Sequence, residues 1–111
     1  MIMIQAIIRP EKADFVMDAL LDAGFPAVTR IDVLGRGKQL GLTAGGYRDA
    51  LPKEMLMLVV PNDDKDFVLS VIMNAARTGD AGMFGDGKVI VSPVSEFWTV
   101  STGEQDDLDN A

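Results

Sequence analysis

Two ten-residue windows, DFVMDALLDA from Asp14 and DFVLSVIMNA from Asp66, share their spacing of apolar positions and align without a gap, with four identities. In the second window Phe67, Val68, Val71, Ile72, Ala75 and Ala76 fall on one stripe of an α-helix. Each window follows an apolar run that ends in proline, IQAIIRP at Pro10 and MLMLVVP at Pro61, so each copy predicts a strand and then a helix. Gly24 and Gly79 stand where each helix is expected to stop, because glycine tolerates the left-handed conformation that closes a helix. New β-like runs then begin, AVTRIDVLG from Ala27 and KVIVSPV from Lys88, and FWTV predicts a further short strand.

Two strand-helix-strand units in tandem predict an α+β, ferredoxin-like double βαβ (split βαβ) domain: a four-stranded antiparallel sheet with both helices on one face. The other face would lie open, yet MLMLVV is apolar at every position instead of alternating. An apolar face of that size predicts an interface, and hence an oligomer. The ending GEQDDLDNA is acidic and poor in apolar residues, so a mobile tail is expected over about 104–111.

A length of 111 residues predicts one domain over 1–111, able to hold a core without staples. The chain has no cysteine and no histidine, which excludes disulfides, thiolate metal sites, and Ser-His-Asp or Cys-His catalysis. A net charge of −7 repels phosphodiester backbones, so nucleic acid is not an expected partner. The apolar runs are too short to span a bilayer and MIMIQAIIRPEK lacks a basic leader, so no membrane insertion and a cytoplasmic location are expected.

The chemistry candidates are glycine-rich. GMFGDGK, from Gly82 to Lys88, matches the first seven positions of a Walker A loop, but Val89 replaces the serine or threonine and VIVSPV is strand-like where a phosphate loop needs a helix. A P-loop is therefore rejected. What remains is backbone N–H groups freed by Gly85 and Gly87 beside the Lys88 ammonium, a cradle for an anion, with an ordinary turn as the bland alternative. GRGKQLG, from Gly35 to Gly41, spaces its glycines differently from a dinucleotide fingerprint and is equally compatible with a plain loop. LTAGGYRD follows it as a polar loop bounded by strands, leading to Lys53, which is placed to reach a carboxylate.

In the order IIRPEK, GRGKQLG, LPKEMLMLVV, RTGD…GDGK and TGE, the chain resembles the PII nitrogen-regulatory signal-transduction family over almost its whole length. The short loop before Leu51, the insertion DAGMF and the ending FWTVSTGE are most similar to its nitrogenase-associated branch. That resemblance implies a homotrimer, or a mixed oligomer with a paralogous PII subunit, binding ATP or ADP in clefts between subunits with Mg²⁺ and 2-oxoglutarate alongside. By motif, Thr29, Gly35, Gly37, Lys38 and Gln39 would contact nucleotide, and Gly85, Asp86, Gly87 and Lys88 would hold its phosphates. Gln39 would also lie near Mg²⁺ and, with Gly41 and Lys53, near 2-oxoglutarate. A flexible effector loop over about 37–53, including Leu42, Thr43, Tyr47 and Arg48, would dock the partner, with the dinitrogenase component of nitrogenase as the implied target.

The chain departs from the family where PII proteins place two arginines as R-x-R-T-G-E, since Thr99 and Ser101 stand there. Each lost charged hydrogen bond is worth ~1.5–3 kcal/mol, which together would weaken triphosphate binding roughly 10²- to 10⁴-fold. The resemblance implies a regulator and not an enzyme. Two alternatives stay open: a PII-type regulator of an ammonium transporter or glutamine synthetase, and a small phosphate-hydrolysing enzyme using Asp86 or a metal-bound water as base.

Overall fold

The computed structural model of the chain describes residues 1–36 and 50–106. Strands β1 (Ile2–Ile8), β2 (Thr29–Gly35), β3 (Leu51–Val60) and β4 (Gly87–Pro93) form one sheet in the order β2-β3-β1-β4, with every neighbouring pair antiparallel. Helices α1 (Ala13–Asp22) and α2 (Lys65–Ala76) each follow a strand through a short 3₁₀ turn, Pro10–Lys12 and Asn62–Asp64. This is the ferredoxin-like double βαβ fold expected from the repeat.

Period-two burial in the central strands sets the core. Ile4, Ala6 and Ile8 of β1 and Leu56, Leu58 and Val60 of β3 are buried on one face, against Ala13, Val16 and Leu20 of α1 and Val68, Ile72, Ala75 and Ala76 of α2. The central position of β3 explains why its sequence fails to alternate: Met55, Met57 and Val59 occupy the second face, where they are only half-buried. Ile31 of β2 and Ile90 of β4 extend this apolar second face to the sheet edges.

Helix α1 ends as its sequence predicts. Gly24 adopts φ +97° while its N–H bonds the Leu21 carbonyl and the Phe25 N–H bonds the Leu20 carbonyl, the paired closure of a Schellman motif. Helix α2 does not stop on Gly79. It ends at Arg77, which is already extended at ψ 137°, because the next N–H, that of Thr78, bonds the Asp86 side chain instead of continuing the helix.

The FWTV strand is shorter than the run suggests. Trp98–Thr99 (β5) pairs with Glu104–Gln105 (β6), so the first residues of the expected mobile tail form a hairpin. The Thr99 hydroxyl donates to the Asp106 carboxylate at 2.7 Å. At the other boundary, Leu51, Pro52 and Lys53 belong to β3 and not to the loop before it. Among the described residues no helix is long and apolar enough to cross a membrane.

Candidate functional site: an anion cleft at the sheet end

Strand β4 can enter the sheet only with glycine at its first position. Gly87 pairs with Ile8 at φ +121°, and a Cβ there would lie 1.9 Å from the Ile7 carbonyl oxygen. This close approach brings the loop between α2 and β4 onto the ends of β1 and β3. Strand β3 carries Lys53 there, and β2 ends alongside at Gly35, which is paired with Leu51. The result is a cleft of about 320 Å³ whose walls include Gly35, Arg36, Lys53, Gly85 and Lys88.

Lys53 is the central cation of the cleft, with 9% of its surface exposed. Its Nζ donates to the Gly85 carbonyl at 2.7 Å, so the partner expected to be a carboxylate is, within this chain, a backbone oxygen. Among the described residues no carboxylate forms an ion pair with it. Burial, and then the charge of Arg9, hold its pKa below the ordinary lysine value. An ammonium desolvated in this way gains from any anion that enters. Lys88 pairs with Ile7 across the strand, is exposed, and forms no ion pair among the described residues.

Asp86 does something its sequence motif did not suggest. Its Oδ2 accepts the amide N–H groups of Thr78 and Met83 at 2.9 and 2.8 Å, and its Oδ1 accepts the Thr78 hydroxyl and Arg9 Nε at 2.6 and 3.0 Å. Burial alone would raise its pKa, but the Thr78 side chain and amide, the Met83 amide and Arg9 together hold it well below the usual carboxylate range. Both oxygens are thus spent on the loop and on Arg9. The Asp86 N–H bonds the Met83 carbonyl at 3.2 Å, so the run of amides expected to cradle an anion is interrupted there. Lys88 is the second residue of a strand and does not begin a helix, in keeping with the rejection of a P-loop.

Thr29 is not brought to the cleft. It begins β2 on the open face, opposite Met57, six positions from Gly35, which at ~3.3 Å per residue is about 20 Å. Gly37, Lys38, Gln39, Gly41, Leu42, Thr43, Tyr47 and Arg48 lie outside the described residues. Among the described residues no group of three or more acidic side chains could hold a metal ion. Sequence reading passed over Arg9 and Thr78, whose roles depend on the β1–β4 register; the one available signal was an arginine in IIRPEK and an aspartate in GDGK at ends of runs that pair.

The comparisons with known proteins agree with one another. The family model described as nitrogen regulatory protein P-II matches residues 1–104. The chain is 52% identical to the nitrogen fixation nifHD region glnB-like protein 1 of Methanococcus maripaludis over 101 residues, 90% of this chain and 93% of that protein. It is 47% identical to the nitrogen fixation nifHD region GlnB-like protein 1 of Methanothermococcus thermolithotrophicus over 103 residues, 92% of this chain and 95% of that one. The crystal structure of Arabidopsis thaliana PII bound to citrate superposes with a TM-score of 0.77 at 34% identity, covering 96% of this chain and 85% of that one. With the family's sequence pattern spanning 1–104 and a PII fold matched over nearly all of its length, the chain belongs to the P-II family of nitrogen regulatory proteins, beside relatives named for the nitrogen fixation region.

Proposed function

We propose that this chain is a sensor that binds ATP or ADP together with 2-oxoglutarate at the cleft, and that it controls nitrogenase by protein contact through residues 37–49. The observation that carries the reading is the buried Lys53, whose stem passes beside Gly35 and whose ammonium has no carboxylate partner among the described residues. Lys53 would hold a carboxylate of 2-oxoglutarate, while Lys88 and the backbone at Gly85 and Gly87 would hold phosphates. A divalent cation bound with the nucleotide would neutralise phosphate charge, and Gln39 would lie near it. The citrate bound to Arabidopsis PII adds a carboxylate ligand on a related protein.

The site is read as shared between copies. Thr29 lies too far along β2 to join the cleft of its own subunit, and the half-buried second face of the sheet offers the surface on which a second copy would supply it. A trimer, homomeric or mixed with a paralogous subunit, closes such an arrangement. A mixed assembly would also supply the phosphate contacts that Thr99 and Ser101 lack, since Thr99 spends its hydroxyl on Asp106.

Signal output follows from position. Gly35 and Lys53 flank the segment that joins β2 to β3, so a ligand on both biases that segment by whatever affinity difference it has for its conformers. The nifHD names of the relatives favour nitrogenase over an ammonium transporter or glutamine synthetase as target. A hydrolytic role for Asp86 is disfavoured by its four donors and low pKa, which make it a poor base. Pulldown of the dinitrogenase component with and without 2-oxoglutarate tests the reading: ligand-dependent capture is expected, and ligand-insensitive capture or none contradicts it.

A further inference from the structure

The loop that closes the cleft is tied down from outside by a residue that does not belong to it. Arg9 follows β1, and its guanidinium reaches across to β4's approach, donating from Nε to Asp86 at 3.0 Å and from Nη2 to the Phe84 carbonyl at 2.6 Å. Between those two anchored residues lies Gly85, whose carbonyl accepts from Lys53. We propose that Arg9 is a positioning residue for this cleft: its two-pronged grip on Asp86 and the Phe84 carbonyl fixes Gly85, and Gly85 fixes the Lys53 ammonium where an incoming carboxylate or phosphate meets it. The proposal rests on the reading of the cleft as an anion site.

Three features support a mechanical role over a purely electrostatic one. The guanidinium donates to acceptors on two different residues from two nitrogens held at a fixed spacing, Nε and Nη2, a rigid geometry that the single nitrogen of an ammonium lacks. Asp86 is simultaneously held by Thr78 and Met83, so one carboxylate ties the start and the end of the loop to β1. The Lys53 ammonium is anchored on the Gly85 carbonyl, so its placement follows that carbonyl wherever the loop goes. Arg9 itself, with 26% of its side chain exposed, is half-shielded beside Asp86 at 18%.

The charge and the fork of Arg9 can be separated. Arg9→Lys keeps the positive charge and loses the rigid fork of two donor nitrogens, whereas Arg9→Gln loses both the charge and the fork. Affinity for 2-oxoglutarate in the presence of Mg²⁺ and ATP is read by calorimetry, and the Lys53 ammonium is titrated by NMR without ligand. Both variants are expected to lose at least tenfold in affinity. In Arg9→Lys, where the neighbouring charge is retained, the Lys53 pKa is expected to move up toward the ordinary lysine value as the loop loosens and water reaches the ammonium. Thr78→Val, which removes one donor to Asp86 and touches no charge, is expected to give a smaller loss in the same direction and keeps the test decisive if Arg9 variants fold poorly. Wild-type affinity in Arg9→Lys, or a Lys53 titration in that variant unchanged from wild type, overturns the proposal. If the wild-type protein binds neither ligand, the anion-site reading fails by itself, and the Lys53 titration still decides whether Arg9 sets the loop.

Discussion

The two halves of this molecule are built to one plan and finished differently. Each runs strand, proline, 3₁₀ turn and helix, but the first helix closes on Gly24 and passes within a few residues to β2, whereas the second gives way at Arg77 to a longer loop that reaches β4 only at Gly87. The first connection is a structural closure: nothing lies within 4 Å of a Cβ built on Gly24. The second is a constrained loop, in which the chain is held by Asp86, grips Lys53 and forces Gly87 against the backbone of β1. Duplicated architecture thus supplies the scaffold, and the charged and close-packed contacts gather in one of its two connections.

The sharpest way to expose that contrast is to place the same methyl group in both connections. Gly87→Ala is expected to destabilise the fold by roughly 4 kcal/mol or more, since the clash is with backbone that cannot turn aside. Gly24→Ala, strained only by its positive φ, is expected to cost about 1 kcal/mol. Denaturant unfolding of the two variants measures the ratio, and equal losses would show that the second connection is no more constrained than the first.

Asp86→Ala is the next largest, with an expected loss of about 2–3 kcal/mol as the amide N–H groups of Thr78 and Met83 lose their acceptor. The pH dependence follows from the low folded pKa of Asp86. Its contribution is fully present above the ordinary carboxylate range and is lost as pH falls through that range toward its own lower value. Unfolding measured at pH 7 and pH 3 should therefore show a smaller acid loss in Asp86→Ala than in wild type.

Lys53 gives a functional effect with little structural one. Lys53→Met is expected to reduce 2-oxoglutarate affinity roughly 10- to 100-fold, the worth of one charged hydrogen bond. Its lowered pKa penalises the protonated folded state at neutral pH and relieves that penalty as pH rises. Anion affinity should accordingly begin to fall with rising pH before the ordinary lysine range is reached, and an affinity-against-pH profile that Lys53→Met leaves unchanged would assign the binding elsewhere.

Much of this was legible in the chain because its signals are local. Helix stripes, the prolines before each helix, the Gly24 closure and the apolar character of the central strand all come from short windows. The parts that escaped are those where distant segments decide. Arg77 ends α2 because Asp86 captures the next N–H from across the loop. Asp86 looks like part of a phosphate motif until the β1–β4 register puts Arg9 beside it. Glu104–Gln105 reads as tail until it pairs with Trp98–Thr99. Of the expected site residues, Gly35, Lys53, Gly85, Asp86, Gly87 and Lys88 converge on the cleft, whereas Thr29 does not, a separation that a motif cannot reveal because it carries no information about distance along a strand.

The measurement that tests the central claim most directly is calorimetric titration of the purified protein with ATP and with ADP, each with and without Mg²⁺ and 2-oxoglutarate, repeated on Lys53→Met. Nucleotide binding that 2-oxoglutarate strengthens in the wild type, with that strengthening lost in Lys53→Met, is the predicted result. No heat from any ligand combination, or a 2-oxoglutarate effect that survives the loss of Lys53, would contradict the assignment of this cleft as the sensing site.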